Sequence, residues 1–395
     1  MRILVVAGRP PWPQRRGDQL RAAQLVAALA SEHEVTLLAP AVRDEPPLPD
    51  VRRVVYRRDA AAWLAAPARL LRGWPVQALP FHQRDLARWL RLLAPQHDLV
   101  VLQLVRLEPH LRDVGETPVV ADLIDCLSLN VGTRAAVAPS WQRPALRLEA
   151  RRVAAAERRL IGGARRALVV CGRDRRALAA AAPQLADRLA VVPVAMTPAR
   201  DAGSAAPPAT EALPAVAISG NLGYFPNRDA VDWWLREVWP ALVRAVPGLR
   251  LVVAGDRPPA ALRRRVERAG GTLVSGPPDL RAVLAGATVA VAPVRCGSGI
   301  PLKVLDAWSV GVPVVASPFA VEGADGVPER DLLAAEGVDA WTSQVRRLLR
   351  DPALRARLAA GGQERIAALG TERVHGELLR QVAGAAADRV ALRGA

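Results

Sequence analysis

The stretch Arg295–Pro318, RCGSGIPLKVLDAWSVGVPVVASP, contains Lys303, the only lysine in a chain whose other basic residues are all arginine. The apolar run before it, ATVAVAPV, reads as a buried strand, and RCGSG reads as a loop at that strand's carboxyl end. PLKVLDAWSV then has helical spacing, with Pro301 suited to the first turn and Gly311 and Pro313 ending the helix. In an open parallel sheet, ligands bind beyond the carboxyl ends of the strands, and the exposed amides of a helix start favour an anion. Gly297 and Gly299 let the backbone approach closely, Ser298 adds a hydroxyl, and a phosphate or diphosphate is the guest this unit suits.

A cation in the first turn opposes the helix dipole at a cost of about 0.3 to 1 kcal/mol, and a bound anion reverses that sign. A compact ammonium meets a phosphate as a point charge where a broad guanidinium would not fit, which is a reason for lysine at position 303. Asp306 lies on the same face, roughly 7 to 9 Å deeper along the helix than the loop, a suitable distance from a diphosphate to a ribose diol. The competing reading is a solvated i, i+3 pair worth a few tenths of a kcal/mol.

The same alternation extends outward in both directions. RILVVA, EVTLLAP, DLVVLQL, TPVVADLI, RALVVC and LAVVPV alternate with helical patterns over the first half. PAVAIS, LRLVVAG, GTLVSG, ATVAVAPV and PVVAS do so over the second. Between them ARDAGSAAPPATEALP has no usable periodicity and reads as a linker. The expected organisation is a Rossmann-like domain over 1–198, a linker over 199–214, a second Rossmann-like domain over 215–370, and a helix and tail over 371–395 that could pack back on the first domain.

The net charge of +16 is concentrated in residues 1–200, which hold 31 arginines against 18 acids. Such a field attracts anions. Zinc-finger spacing and RNA-stacking motifs are absent, so nucleic acid is not an expected partner. Residues 52–93 mix arginine with Trp63, Trp74 and Trp89 and could dock at an anionic membrane surface or form an ordinary amphipathic cover. No apolar run is long enough to cross a bilayer, and the start MRILVVAGRPPWP lacks secretory character, so a cytoplasmic protein, peripheral to the inner face of the membrane at most, is expected. Cys126, Cys171 and Cys296 stand apart and imply neither disulfides nor zinc.

GSGIPLKVLDAWSVGVPVVAS, with LVVAGDRPP and GPPDLRAVLAGATVAVAPV upstream, resembles the donor-binding domain of retaining GT-B glycosyltransferases of the family 4, or group 1, type. NLGYFPNRDAVDWWLREVWPAL resembles the start of that domain, and MRILVVAGRPPWPQRRGDQLRAAQLVAALA the usual amino terminus. The resemblance implies an α/β GT-B fold of two Rossmann-like domains with a cleft between them. It implies transfer of a sugar from a nucleoside diphosphate sugar to an acceptor hydroxyl of a glycan, glycolipid or secondary metabolite, with retention and no cofactor. It puts Lys303 on the donor diphosphate and Asp306 on the ribose, with aspartate in place of the usual glutamate.

The resemblance further implies donor contacts from Gly17, Gly297, Ser298, Gly299 and Ile300, and from Ser275 and Gly276 at the nucleobase. Many members carry a glutamate where this chain has Ser298. Arg228 of the loop GNLGYFPNRDA is a candidate for the diphosphate, with Asn221 and Asn227 beside it, although Asn227 and Arg228 would equally flank a helix start. In the first domain Asp18 reads as a helix cap, and ADLIDCLSLN brings Asp122, Asp125 and Ser128 toward the expected cleft, with Asp125 and Asp122 as catalytic candidates beside Lys303. No D-x-D pair occurs to hold a metal, so protein groups are expected to neutralise the leaving diphosphate.

Three other functions fit parts of the pattern. They are a nucleotide-sugar epimerase on the same architecture, a dinucleotide oxidoreductase, for which GSGIPL lacks the third glycine, and a nucleotide-sugar-binding homologue weakened in catalysis through Ser298.

Overall fold

The computed structural model describes residues 1–14, 16–41, 50–59, 64–198 and 213–393, with side chains to 387. Most of the expected linker, 199–212, lies outside the described residues. The chain divides into two compact units, Met1–Ala195 with Glu372–Ala395, and Met196–Thr371.

The first unit is built on seven parallel strands: β1 Arg2–Ala7, β2 Glu34–Pro40, β3 Val51–Tyr56, β4 Leu99–Gln103, β5 Val119–Ile124, β6 Arg166–Val169 and β7 Leu189–Val191. Their order is β3-β2-β1-β4-β5-β6-β7. The two-residue period of a strand explains why β1 is apolar throughout. Leu4 and Val6 enter a core with Leu86, Leu90 and Leu160, while Ile3, Val5 and Ala7 enter another with Leu25 and Leu29. The final helix, Thr371–Arg393, belongs to this unit and presents Val374, Leu378, Val382 and Ala385 to the second of these cores. That spacing is one helical face.

The second unit holds six parallel strands: β8 Ala215–Ser219, β9 Arg250–Gly255, β10 Thr272–Ser275, β11 Val289–Ala292, β12 Val314–Ala316 and β13 Leu333–Ala334. They are ordered β10-β9-β8-β11-β12-β13. Its core is centred on Trp234, which meets Trp341 edge-on at 5.3 Å between ring centroids. The chain leaves β8 toward β9 and β10, then returns to the other side of β8 with β11. The crevice between the carboxyl ends of β8 and β11 is therefore the point where the winding direction changes, the usual ligand position in such sheets.

The ends of β8 and β9 approach so closely that a β-carbon on Gly255, whose φ is +155°, would lie 1.7 Å from the carbonyl oxygen of Gly220. Gly255→Ala is expected to destabilise the second unit, with about 1–3 kcal/mol from the backbone conformation alone and more from the displaced loop. Urea unfolding followed by tryptophan fluorescence measures it, and a midpoint equal to wild type would contradict the packing described.

Candidate functional site

The loops after β8 and β11 carry the polar groups of the second unit. After β11, Arg295 turns back to the helix Phe225–Trp233 and makes two hydrogen bonds to Asp229, at 2.9 and 2.6 Å, with its guanidinium 5.8 Å from the Trp233 ring centre. This bidentate clamp fixes the root of the glycine loop. Gly297 and Gly299 both have positive φ, +133° and +71°, and Gly297 lies against Pro226 of the same helix. Only glycine follows this path without strain. The loop delivers the chain to the helix Leu302–Ser309, whose start at Pro301 has no side-chain cap. Val304, Leu305 and Trp308 of that helix are buried, and the Trp308 indole donates to the Asp331 carbonyl at 2.9 Å.

Lys303 and Asp306 emerge on the opposite, partly buried side. The Lys303 ammonium donates to Asn227 Oδ1 at 2.7 Å, and Asn227 Nδ2 donates in turn to the Asn221 carbonyl at 2.9 Å. One amide thus ties the lysine to the loop after β8. Burial pushes Lys303 down to about 8, against the pull of Asp306. Burial also pushes the Asp306 carboxyl up to about 6, opposed by Arg281 and Lys303. Arg281 stands 3.7 Å from that carboxylate, on the short helix Leu280–Ala285 capped by Asp279. The two are not a surface ion pair with one another: both are partly buried, and Lys303 is held by Asn227 while Asp306 faces Arg281.

The structure brings Gly297, Ser298, Gly299, Ile300, Lys303 and Asp306 together with Asn227. Asn227 does not cap the helix: the cap position is Tyr224, which contributes no side-chain bond. Arg228, one residue on, acts on Asp232 through space, helping to hold its carboxyl down against burial. Ser275 and Gly276 are exposed at the end of β10, two strands from β8, where the Gly276 amide bonds the Gly255 carbonyl at 3.0 Å.

The sequence reading missed Arg281, Arg295 and Asp229. Arg281 stands in the quoted GPPDLRAVLAG and Arg295 opens the glycine loop, but one arginine among 53 gives no local sign of its partner.

In the first unit, Gly17 opens the helix Gly17–Ala30. Asp18 is not its cap: the cap position is Arg16, and Asp18 pairs with Arg9 instead. Asp122 does not reach a surface. It is fully buried on β5 and spent on Arg21, also fully buried, at 3.2 Å, while Arg21 donates to the Pro193 carbonyl at 3.0 Å. The physical reason is that Asp122 stands in regular register on β5, opposite Gln103 and Leu168, and two-residue alternation puts it on the face where Val120 meets Leu25 and Leu29; the irregularity at Ile124 comes only after it.

Asp125 lies partly buried in the turn that follows, beside Glu157. Glu157 was also missed. It is buried, accepts from the Ser128 amide at 3.0 Å, and is pushed up to about 7 by burial, with hydrogen bonds from Ser128 opposing and Asp125 adding. Its signal was present in the sequence, as one acid inside the apolar stripe Val153, Ala156, Leu160, Ile161. The three cysteines are buried and form no disulfide. Among the described residues no group of three or more His, Cys, Asp or Glu could hold a metal ion, and no helix is long and apolar enough to cross a membrane.

Residues 214–351 match the family described as "Glycosyl transferases group 1". Similar solved structures include the sucrose-phosphate synthase of Thermosynechococcus elongatus, at 19% identity and TM-score 0.69, covering 98% of this chain and 100% of that one. The α,α-trehalose 6-phosphate synthase of Burkholderia multivorans is 15% identical with TM-score 0.68, covering 98% and 99%. HepE of Anabaena, in complex with UDP, is 12% identical with TM-score 0.63, covering 97% and 100%. No curated protein matches. The architecture is therefore that of the GT-B fold, with two Rossmann-like domains. Residues 214–351 of the second unit carry a group 1 glycosyltransferase domain, and it is this domain that gives the enzyme class of the glycosyltransferases.

Two stability effects follow. Asp306, with its folded value raised from 3.8 to about 6, lends stability that is complete below about 4 and lost as pH rises through 6. At pH 7 its charge is a burden on the empty site, and Asp306→Asn is expected to stabilise the protein by on the order of 1 kcal/mol. Asp122→Ala strands a buried guanidinium and is expected to cost about 3–5 kcal/mol, much of it recovered in the double variant Arg21→Met, Asp122→Leu. Denaturant midpoints of the variants at pH 5 and 7 check both.

Proposed function

We propose that the protein transfers a sugar from a nucleoside diphosphate sugar to an acceptor hydroxyl, with retention of anomeric configuration and without a metal ion, as a family 4 glycosyltransferase. The observation that carries this reading is Lys303, desolvated beneath the Gly297–Gly299 loop at the β8/β11 crevice and held by Asn227. The loop amides and the ammonium meet the two phosphates, and Arg228 adds a second cation nearby. Asp306 accepts hydrogen bonds from the ribose hydroxyls, and Ser275 and Gly276 offer backbone groups to the base. Ser298 and Ile300 border the sugar.

As the glycosidic bond to the diphosphate breaks, charge grows on the leaving oxygen, and Lys303 stabilises that charge where water is thinned. The diphosphate itself takes the acceptor's proton on the same face of the sugar, so no enzyme nucleophile is needed. Asp125, with Glu157 behind it, is the polar candidate in the first unit. The acceptor is a glycan, lipid-linked or small-molecule hydroxyl. UDP is the first nucleotide to test, since it occupies the HepE structure.

Binding needs Lys303 protonated and Asp306 ionised. Affinity for UDP, measured by calorimetry without metal, is expected to fall as pH drops through about 6 and as it rises through about 8. Lys303→Ala should weaken binding tenfold or more, about 1.4 kcal/mol, and remove the alkaline limb. Asp306→Asn should weaken binding and alter the acid limb, leaving the contribution of the nucleotide's own phosphate, which titrates near 6. Transfer of a labelled sugar that persists in EDTA, with the product's anomeric carbon read by NMR, tests the reaction. UDP, GDP, ADP and dTDP all failing to bind, or binding indifferent to both changes, would overturn the site. Isomerised donor with no added acceptor would assign an epimerase instead.

A further inference from the structure

Twelve large apolar side chains are exposed among the described residues, and five of them lie in two stretches of the first unit, 64–76 and 141–148. They are Leu64 at 83%, Leu71 at 90%, Val76 at 48%, Trp141 at 78% and Leu148 at 49% exposed. Two interactions bring the chain around Leu71 and Val76 against the helix that carries Leu148. Glu149, next to Leu148, accepts from the amides of Val76 and Gln77 at 3.0 and 3.2 Å, and Arg152 donates to the carbonyl of Leu70, next to Leu71, at 3.0 Å. Trp141 stands in the 3-10 turn Ser140–Gln142, directly before the helix Arg143–Gly163 that carries Leu148. Scattered apolar residues need no explanation, but a gathered set marks a contact surface.

The charge around the patch has one sign. Arg72, Arg147 and Arg151 are exposed beside it. Glu149 is the only acid within 64–77 and 139–152, and its carboxylate is turned to the backbone amides. The tryptophans expected to face a membrane do not supply this surface. Trp63 lies outside the described residues, Trp74 is stacked on His82 at 5.0 Å under Arg69, and Trp89 packs against the core.

We propose that this face docks on an anionic lipid surface, with Leu71, Trp141 and Leu148 entering the headgroup layer and Arg72, Arg147 and Arg151 meeting the phosphates. An apolar centre with a basic rim is the pattern of interfacial binding. A second copy of the chain would set the same arginines against one another, a like-charge cost that a bilayer does not impose. The inference is independent of the transfer reaction, because none of these residues belongs to the site described above.

Vesicle sedimentation of the full chain tests it, comparing neutral phosphatidylcholine with vesicles carrying about 30% phosphatidylglycerol, a typical anionic load. Wild type is expected to partition at least tenfold better onto the anionic vesicles and to be released by salt as the charges are screened. The double variant Leu71→Ser, Trp141→Ser should lose that partition while keeping its thermal unfolding midpoint, and Arg147→Gln, Arg151→Gln should flatten the salt dependence. Equal sedimentation with both vesicle types, none with either, or full binding by the Leu71, Trp141 variant would overturn the proposal. So would a wild-type dimer in light scattering that this variant dissolves, since the face would then belong to a second copy.

Discussion

The 2.7 Å hydrogen bond from Lys303 to Asn227 joins the two helices that follow the strands flanking the winding reversal of the second sheet. Much of the local geometry serves to make it possible. The glycine loop must rise over the start of the Leu302–Ser309 helix without side chains at Gly297 and Gly299. The Arg295–Asp229 clamp must hold the loop's root, and Gly255 must let the Gly220 carbonyl come close. Each of these features would be costly if the aim were only to fill space. Together they hold a cation at the point where the sheet leaves room for a ligand.

The fold was legible because parallel strands buried on both faces appear as short apolar runs, and because helices interrupt them at regular intervals. The positions of Lys303, Asp306 and the glycine loop were legible for a similar reason, because a strand end and a helix's first turns are read from local chain pattern. Asp122 was misread because β5 is covered on both faces, so its alternation puts the carboxylate under the helix Gly17–Ala30, and its partner Arg21 lies 101 residues away in the chain. The roles of Asn227, Arg281 and Arg295 depend on partners 76, 25 and 66 residues away in the chain, and sequence periodicity carries no information over such distances.

In the first unit the same physics appears as strain. Leu104 and Ile124, at the carboxyl ends of the neighbouring strands β4 and β5, both adopt positive φ, which branched and bulky side chains avoid. The Leu104 amide bonds the Asp122 carbonyl at 2.8 Å, so the two irregularities lock one another. They are stabilised by what lies behind them: the buried Arg21–Asp122 pair, and Glu157 and Asp174 accepting from the amides of Ser128 and Cys126. Strain of this kind persists only where the surroundings over-determine it, and strand ends that present polar groups are where folds tend to keep it.

The arginine bias of the chain makes the choice at position 303 informative once the burial is known. A guanidinium does not lose its proton in a protein, so an arginine there would carry a full charge into a desolvated crevice whenever the ligand is absent. The ammonium of Lys303, already lowered to about 8, lies within reach of its neutral form and has the Asn227 carbonyl oxygen to receive its hydrogen bond. Asp306, raised to about 6, tempers the empty site from the other side. Under the proposed function an arriving diphosphate favours the ammonium of Lys303, while Asp306 accepts hydroxyl hydrogen bonds as a carboxylate only above about 6. Under the proposed function, lysine at this position would let the site be cationic when a diphosphate binds, without the full penalty of a fixed buried charge at other times.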